Sequence, residues 1–293
     1  MLLYRNPYAF VPQSIRSCRV GKLKLTSLIW RKDTIFALKR RDIPVFFLTL
    51  PTKNEILTTL IIHVGALKER EEHMKQQLSA QGLDNHVFIL DGDKDTLTPE
   101  VLEQWFDPQG EVYGATAGAS CAMKHLLACR YVVDHELEGA LVFEDDICLH
   151  RRFREVFDHS LDEMRREHAG EPVFISYEDS TLEFVPRSQR QSGKVLYPAA
   201  RGRFAGAYYL NRRAAQAVID CARTHKIHLP ADHFYYYVAS QHGMNCYWCQ
   251  PAIATQGSFT GLFSSAIKQR RHGLLRLRWW LKLNYKKLLY NLR

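Results

Sequence analysis

Short apolar runs of strand length alternate with longer amphipathic stretches, and this alternation constrains the fold more than any other feature of the sequence. The runs are ILTTLIIHVG (residues 56–65), HVFIL (86–90), GALVF (139–143) and PVFIS (172–176). Continuous apolar runs are typical of strands buried on both faces, and strands that alternate with helices usually pair in parallel. The pattern predicts an α/β domain with a mostly parallel sheet flanked by helices.

Capping residues between the runs predict where helices begin and end. The predicted ends are, in chain order, a stop at Gly82, a start at Thr98 with Pro99, an N-cap at Asn211 and a start near Ala231. Two more helices are predicted over residues 117–133 and from about residue 151. Residues 179–204 are polar and irregular, which predicts a mobile loop.

Three carboxylates, Glu144, Asp145 and Asp146, directly follow the GALVF run. Adjacent carboxylates repel one another, and a bound divalent cation or cationic partners relieve that repulsion. If the backbone stays extended, Glu144 and Asp146 face the same side. We therefore predict Asp146 as the direct metal ligand and Glu144 as its companion, with Asp145 bracing the loop. The alternative is a solvated acidic turn that caps the helix starting near residue 151.

The net charge of +9 is unevenly distributed along the chain. Residues 1–55 carry 11 basic and 3 acidic side chains, residues 233–293 carry 9 basic and no acidic ones, and the middle of the chain is acidic. A generic nucleic-acid-binding protein does not need this separation, so no nucleic-acid partner is expected.

The hydropathy and cysteine patterns indicate a cytosolic protein. No run reaches the roughly 18 apolar residues that a membrane-spanning helix requires, and no secretory signal is visible in the first thirty residues. Seven cysteines, an odd number, favour reduced thiols over a disulfide framework. The pair Cys246 and Cys249 lacks a second pair or nearby histidines, so we interpret it as structural.

Several short segments occur in an order that resembles glycosyltransferase family 25, which includes bacterial lipopolysaccharide and lipooligosaccharide β-galactosyltransferases and the collagen galactosyltransferases. The segments are LIIHVGALKER, Asp91-Gly92, SCAMKH with Cys121 and His125, VFEDD, FAGAYYLNRRAA, Pro230 with Asp232, and Pro251 with Gln256. The sequence departs from the family at Gly118, where a glutamate is usual, and in the displaced glycine of Gly206-Ala207-Tyr208.

The resemblance implies a GT-A-like domain over residues 56–267, with basic extensions over residues 1–55 and 268–293. It also implies an inverting transfer of a hexose such as galactose from a UDP-sugar to a glycan acceptor, with Mn²⁺ or Mg²⁺ bound by oxygen ligands. Two other functions remain open: a non-enzymatic protein that binds anionic surfaces or nucleic acid, and a metal-dependent nucleotidyltransferase.

The resemblance also suggests roles for individual residues. Asp232 is the candidate catalytic base and Asp179 the reserve, although an acid at a helix start fits Asp232 equally well. Arg70 is the candidate partner of the diphosphate, against the commoner role of a surface arginine. The other residues expected to bind the donor are Asp91, His125, Glu144 and Asp145. His125 is expected to line the pocket as a hydrogen-bonded helix residue rather than as a metal ligand.

The basic tail has the pattern of an amphipathic helix. Its apolar stripe comprises Leu274, Leu277, Leu281, Tyr285, Leu288 and Leu292, and Arg276, Lys282, Lys286 and Lys287 lie elsewhere on the helix. This pattern is typical of a helix that lies on an anionic membrane surface, which would place the enzyme on the inner face of the cytoplasmic membrane, near a lipid-linked acceptor. The alternative is a helix that packs on its own domain or on a partner.

Overall fold

A computed structural model describes residues 2–4, 57–199, 201–263 and 275–293. The expected N-terminal extension lies outside these residues, except for the short strand β1 (Leu2–Tyr4). Residues 264–274, which precede the tail helix in the sequence, also lie outside them.

An eight-stranded mixed sheet forms the centre of the fold. Its strands stand in the order β1-β3-β2-β4-β8-β6-β9-β7, and β5 pairs with β10 in a separate two-stranded sheet. The remaining strands are β2 (Thr58–Ile62), β3 (His86–Ile89), β4 (Gly139–Glu144), β5 (Ile147–Leu149), β6 (Val173–Ser176), β7 (Leu196–Pro198), β8 (Ala207–Asn211), β9 (Asn245–Cys249) and β10 (Ala254–Gln256). Within the large sheet only β7 and β8 run against the others, so the predicted mostly parallel sheet is confirmed.

Helices cover both faces of the sheet. They are α1 (Lys68–Ala80), α2 (Pro99–Trp105), α3 (Ala117–Asp134), α4 (Phe153–Glu167), α5 (Arg212–His225), α6 (Ala231–His242), α7 (Gly257–Thr260) and α8 (Leu275–Leu292). Strand β4 shows why both faces must be covered, since Ala140 and Val142 enter one core with α2, α3, α5 and α6. Leu141 and Phe143 enter a second core with α1 and α4. The predicted α/β architecture is therefore confirmed.

The predicted helix starts are confirmed by their caps. The Thr98 hydroxyl accepts a hydrogen bond from the Val101 amide at the start of α2, and Asn211 Oδ1 accepts one from the Ala214 amide at the start of α5. Helix α1 ends at Ala80 and is followed by Gly82 with φ +64°, a left-handed conformation that favours glycine.

The prediction of a mobile loop over residues 179–204 is wrong in part, because this segment includes strand β7. The amides of Val195 and Leu196 donate to the buried carboxylate of Glu163, at 2.7 and 3.2 Å. The Arg203 guanidinium is buried over the Trp248 ring and donates to main-chain carbonyls. Polar residues order this segment by internal hydrogen bonding, which its composition alone conceals.

The tail helix α8 has two different faces. On the inner face, Trp279 packs on Phe259 and Tyr290 on Phe184, with ring centroids 5.5 and 5.7 Å apart. The outer face carries most of the large hydrophobic side chains that the described residues expose: Leu277, Trp280, Leu281, Tyr285, Leu288 and Leu292. Within the described residues, no helix has the length and hydropathy needed to cross a membrane.

Asn211→Ala tests how the sheet is tied to α5. Besides capping α5, the Asn211 side chain accepts from the Val173 amide at 3.1 Å and donates to the Glu171 carbonyl at 2.7 Å. Loss of a cap and of two further bonds should lower the free energy of unfolding by about 2 kcal/mol or more. Thr98→Ala, which loses the α2 cap and a hydrogen bond to the exposed Glu100 side chain, should cost about 1 kcal/mol. Urea unfolding of both variants gives the comparison, and equal losses would contradict it.

Candidate functional site

The acidic triplet lies where β4 ends, beside the carboxyl ends of the neighbouring parallel strands. Strand β4 ends at Glu144, and Asp145 and Asp146 form the turn into β5. The extended backbone assumed for the triplet is therefore wrong beyond Glu144, because the chain turns there to pair β5 with β10. Asp145 and Asp146 are only 5% and 4% exposed, so the alternative of a solvated turn is excluded.

Asp145 is paired with Arg70 and His63. Its Oδ1 accepts from Arg70 Nη1 at 2.6 Å, and its Oδ2 lies 2.9 Å from His63 Nδ1. Burial opposes ionisation of this carboxyl, but the His63 hydrogen bond and the Arg70 charge outweigh it and hold the pKa of Asp145 below its ordinary value. Arg70 is 13% exposed, so it is not a surface arginine.

One carboxylate oxygen of Asp146 accepts a hydrogen bond, and the other does not. Its Oδ2 accepts from the Ser258 amide at 3.0 Å, and its main-chain carbonyl accepts from the Gly257 amide at 2.7 Å. Its Oδ1 is buried and makes no hydrogen bond. Burial, assisted by the charge of Glu144, raises the pKa of Asp146 to about 6. A buried carboxylate oxygen without a donor is a suitable ligand for a hard cation.

Glu144 connects the strand end to helix α3. Its Oε1 lies 3.5 Å from His125 Nε2 and 3.8 Å from Cys121 Sγ, and its Oε2 accepts from Gln256 Nε2 at 3.0 Å. His125 Nδ1 lies 2.8 Å from the Tyr208 hydroxyl, as expected for a hydrogen-bonded helix residue. The ligand atoms of Cys121, His125 and Glu144 all lie within 4.8 Å of one another.

The displaced glycine of the FAGAYYL segment is required by this packing. A Cβ on Gly206 would meet Gln256 Nε2 at 2.6 Å and Ile147 Cδ1 at 2.9 Å. The Gly206 carbonyl accepts from the Glu144 amide at 2.8 Å. Any larger residue at this position would displace Gln256 from Glu144.

The two candidate bases have different surroundings. Asp232 is in the first turn of α6, after Pro230 at the N-cap, and Glu144 and His125 act on it electrostatically. Burial raises the pKa of Asp232, and Glu144 adds to this effect. Asp179 is fully buried; its Oδ1 accepts from the Thr255 hydroxyl at 2.6 Å, and its Oδ2 makes no hydrogen bond. Asp232 therefore interacts electrostatically with Glu144, whereas the Asp179 carboxylate lies against Thr255, His150 and Lys287.

Asp91 lies at the end of β3, where a buried lysine holds the chain. Lys124 Nζ donates to the carbonyls of Leu90 and Asp91, at 2.7 and 3.1 Å, and pairs with Asp93 at 3.1 Å. Lys124 is 1% exposed. It comes from α3, so the same helix presents Cys121 and His125 to Glu144 and fixes the loop after β3.

Sequence reasoning missed His63, Lys124 and Glu178, and it noted Gln256 without giving it a role. Glu178 is fully buried near the triplet and accepts from the Gly206 amide at 3.0 Å. Its pKa is raised well above the ordinary value, chiefly by burial, with Glu144 and Asp146 adding to the shift. The signal for Glu178 was present in the sequence, because it comes two residues after the PVFIS strand, much as Glu144 comes directly after GALVF.

Residues 56–235 match the sequence model of glycosyltransferase family 25 (LPS biosynthesis protein), and the chain belongs to this family. The resemblance of the ordered motifs to this family is therefore confirmed. Membership makes the chain a transferase of a family assigned to lipopolysaccharide biosynthesis. A comparison with curated proteins finds no match.

Two solved structures show distant similarity. The crystal structure of mannose-1-phosphate geranyltransferase from Thermus thermophilus aligns with 11% identity over 74% of this chain and 80% of that chain, at a TM-score of 0.33. The inositol-1-phosphate CTP transferase from T. maritima aligns with 12% identity over 68% of this chain and 88% of that chain, at a TM-score of 0.31. No conclusion about this chain rests on these alignments.

Glu178→Gln tests the charge state of the buried carboxyl. In the unfolded chain a glutamate ionises near pH ~4.3, whereas the folded protein keeps Glu178 protonated to higher pH. The parent protein therefore loses stability as pH rises above that value, and the neutral variant does not. The variant should melt at a higher temperature than the parent at pH 7.5 and at the same temperature at pH 4.

The control for this comparison is Glu103→Gln, which changes an exposed glutamate on α2. Its melting temperature should differ from that of the parent by the same small amount at both pH values. A Glu178→Gln protein that is less stable than the parent at pH 7.5 would show that the ionised carboxylate is the native form.

Proposed function

We propose that this chain transfers a hexose, with galactose as the first candidate, from a UDP-sugar to a glycan acceptor of lipopolysaccharide or lipooligosaccharide type. The transfer inverts the configuration at the transferred sugar and depends on a divalent metal ion. Family membership supports the reaction class. The observation that carries the metal dependence is the buried Asp146 Oδ1, which lacks a hydrogen-bond donor beside Glu144.

The carboxylates fit Mn²⁺ or Mg²⁺. Asp146 offers a free oxygen, Glu144 lies close enough to raise the pKa of Asp146, and both ions prefer oxygen ligands. When bound, such an ion offsets the negative charge that develops on a diphosphate leaving group. Asp145 is occupied by Arg70 and His63, so its role is to position Arg70 beside the ion and the diphosphate. Arg70 also acts electrostatically on Asp146.

Asp232 is the proposed base. Inversion requires a proton acceptor for the attacking hydroxyl, on the face of the sugar opposite the leaving group. Asp232 is partly exposed and interacts electrostatically with Glu144 and His125. Burial raises the pKa of Asp232, which brings it closer to the value that suits general-base catalysis. His125 interacts electrostatically with Asp232. Asp91 lies in the loop after β3, where its carbonyl accepts a hydrogen bond from Lys124. Asp179, the reserve candidate, becomes a structural residue in this proposal.

Asp146→Ala should reduce metal-dependent turnover of a UDP-sugar by about 100-fold or more, since the metal contributes several kcal/mol to transition-state stabilisation. Asp95→Ala, which changes an 86% exposed aspartate, is the matched control and should leave the rate unchanged. The assay measures the release of UDP and of pyrophosphate with and without Mn²⁺. Pyrophosphate release would indicate a nucleotidyltransferase instead, and equal activity of the two variants would remove Asp146 from the mechanism.

We also propose that the outer face of α8 holds the enzyme at the inner, anionic surface of the cytoplasmic membrane. Leu283 and Tyr290, two apolar residues outside the stripe, are partly buried, and Tyr290 packs on Phe184 of the body. The outer stripe stays exposed, and α8 carries basic but no acidic residues. A helix with exposed leucine, tryptophan and tyrosine next to lysine and arginine suits an anionic bilayer.

Sedimentation with vesicles tests this membrane proposal. The full chain should sediment with vesicles that contain phosphatidylglycerol, less so at high salt, and not with pure phosphatidylcholine. Leu281→Ser combined with Leu288→Ser should abolish sedimentation, because both side chains are more than half exposed on the stripe. Leu262→Ser, which changes an equally exposed leucine outside α8, should have no effect. Equal sedimentation of the double variant and the parent would contradict the proposal.

A further inference from the structure

Helix α3 and the end of β4 bring together a thiol, an imidazole and a carboxylate. Cys121 and His125 are four residues apart, so they lie on one face of α3, and both point to Glu144 Oε1. The site proposed for Mn²⁺ or Mg²⁺ uses Glu144 and Asp146, and it leaves the sulfur and nitrogen donors without a role.

The strongest sign of a ligand is His125 Nε2. His125 is 2% exposed, and its Nε2 is buried without a hydrogen-bond partner. The opposite ring nitrogen, Nδ1, lies 2.8 Å from the Tyr208 hydroxyl, which in turn lies 2.6 Å from the Tyr235 hydroxyl. Metal-binding histidines are held in this way, with one nitrogen bonded to a fixed group and the other aimed at the metal.

The donor spacing suits a small tetrahedral ion. Bonds of about 2.0–2.3 Å to nitrogen, oxygen and sulfur place neighbouring donors roughly 3.3–3.8 Å apart. The observed separations from Glu144 Oε1 are 3.5 Å to His125 Nε2 and 3.8 Å to Cys121 Sγ. The third separation, between Cys121 Sγ and His125 Nε2, is at most 4.8 Å.

Two other functions for Cys121 fit less well. A nucleophilic cysteine needs cationic neighbours that favour the thiolate, whereas the charged groups that act on Cys121 are the carboxylates Glu144, Asp232 and Asp145. A purely structural hydrogen bond from the thiol to Glu144 leaves His125 Nε2 buried without a hydrogen bond, although it lies 3.5 Å from Glu144 Oε1. An ion bound by all three residues satisfies every one of these atoms.

We propose that Cys121, His125 and Glu144 form a binding site for a thiophilic divalent metal ion of the Zn²⁺ class, distinct from the Asp146 site and sharing Glu144 with it. Thiolate and imidazole ligands favour such ions over Mn²⁺ and Mg²⁺. Three protein ligands leave one tetrahedral position open to solvent or substrate. Asp232 interacts electrostatically with both Cys121 and Glu144.

Cobalt substitution tests the site by a readout that is independent of transferase activity. Co²⁺ added to the full chain should bind at about one equivalent and give a sulfur-to-cobalt charge-transfer band with intense visible bands of tetrahedral geometry. Zn²⁺ should displace it, and excess Mg²⁺ should not. Cys121→Ser should abolish the charge-transfer band, and His125→Gln should weaken Co²⁺ binding at least tenfold.

Matched variants separate this proposal from the others. Cys148→Ser removes another partly exposed thiol close to Asp146 and should retain the band, as should Asp146→Ala. Thermal melts without metal should show that the Cys121→Ser protein is folded. A band that survives in Cys121→Ser, or Co²⁺ binding without any thiolate band, would overturn the proposal. If the parent protein shows the band but does not turn over a UDP-sugar, the result would count against the proposed transferase mechanism and not against this metal site.

Discussion

The pairing of Asp145 with Arg70 and His63 is the interaction on which the site depends. Three adjacent carboxylates at the end of a buried strand repel one another, and the low polarity around them strengthens that repulsion. Arg70 compensates one of the three charges, and Arg70 and His63 attach the β4–β5 turn to α1 and to the end of β2. Glu144 and Asp146 are then left to separate partners, Glu144 to α3 and Asp146 to the start of α7.

The sheet explains why these partners converge. Successive side chains of β4 enter opposite cores, so both faces of the strand are fixed by packing, and its end is held in one position. Helix α3 packs on one face and carries Lys124, which fixes the loop after β3, together with Cys121 and His125. Gln256 reaches Glu144 from β10 because Gly206 leaves room for it. The elements that form the site are therefore held in place by packing in the two cores.

The parts of the fold that depend on local pattern were predictable. The strand GALVF follows from its apolar run, and the starts of α2 and α5 follow from the caps at Thr98 and Asn211, which operate within a few residues. Strand β7 was not predictable, because it depends on Glu163, which is more than thirty residues away in the sequence. The tail helix was ambiguous for a similar reason, since only the packing of Trp279 and Tyr290 shows which face turns inward.

The candidate site shows the same limit. The triplet and the Cys121–His125 spacing are visible in the sequence, but the turn at Asp145 and Asp146 is not, and this turn decides which carboxylates remain available. Glu178 and Lys124 were missed because ionisable side chains are rarely buried, and the partners of both residues come from distant segments. Asp232 and Asp179 were nearly equivalent in the sequence and are distinguished only by their neighbours.

The central claim is that the carboxylates at the end of β4 hold a metal ion that binds a nucleotide sugar. The most direct measurement is the melting temperature of the full chain with a panel of nucleotide sugars, each with and without Mn²⁺. The account predicts that UDP-hexoses raise the melting temperature only when Mn²⁺ is present, with UDP-galactose among the most effective. Stabilisation by no nucleotide sugar, or by all of them equally without metal, would contradict it.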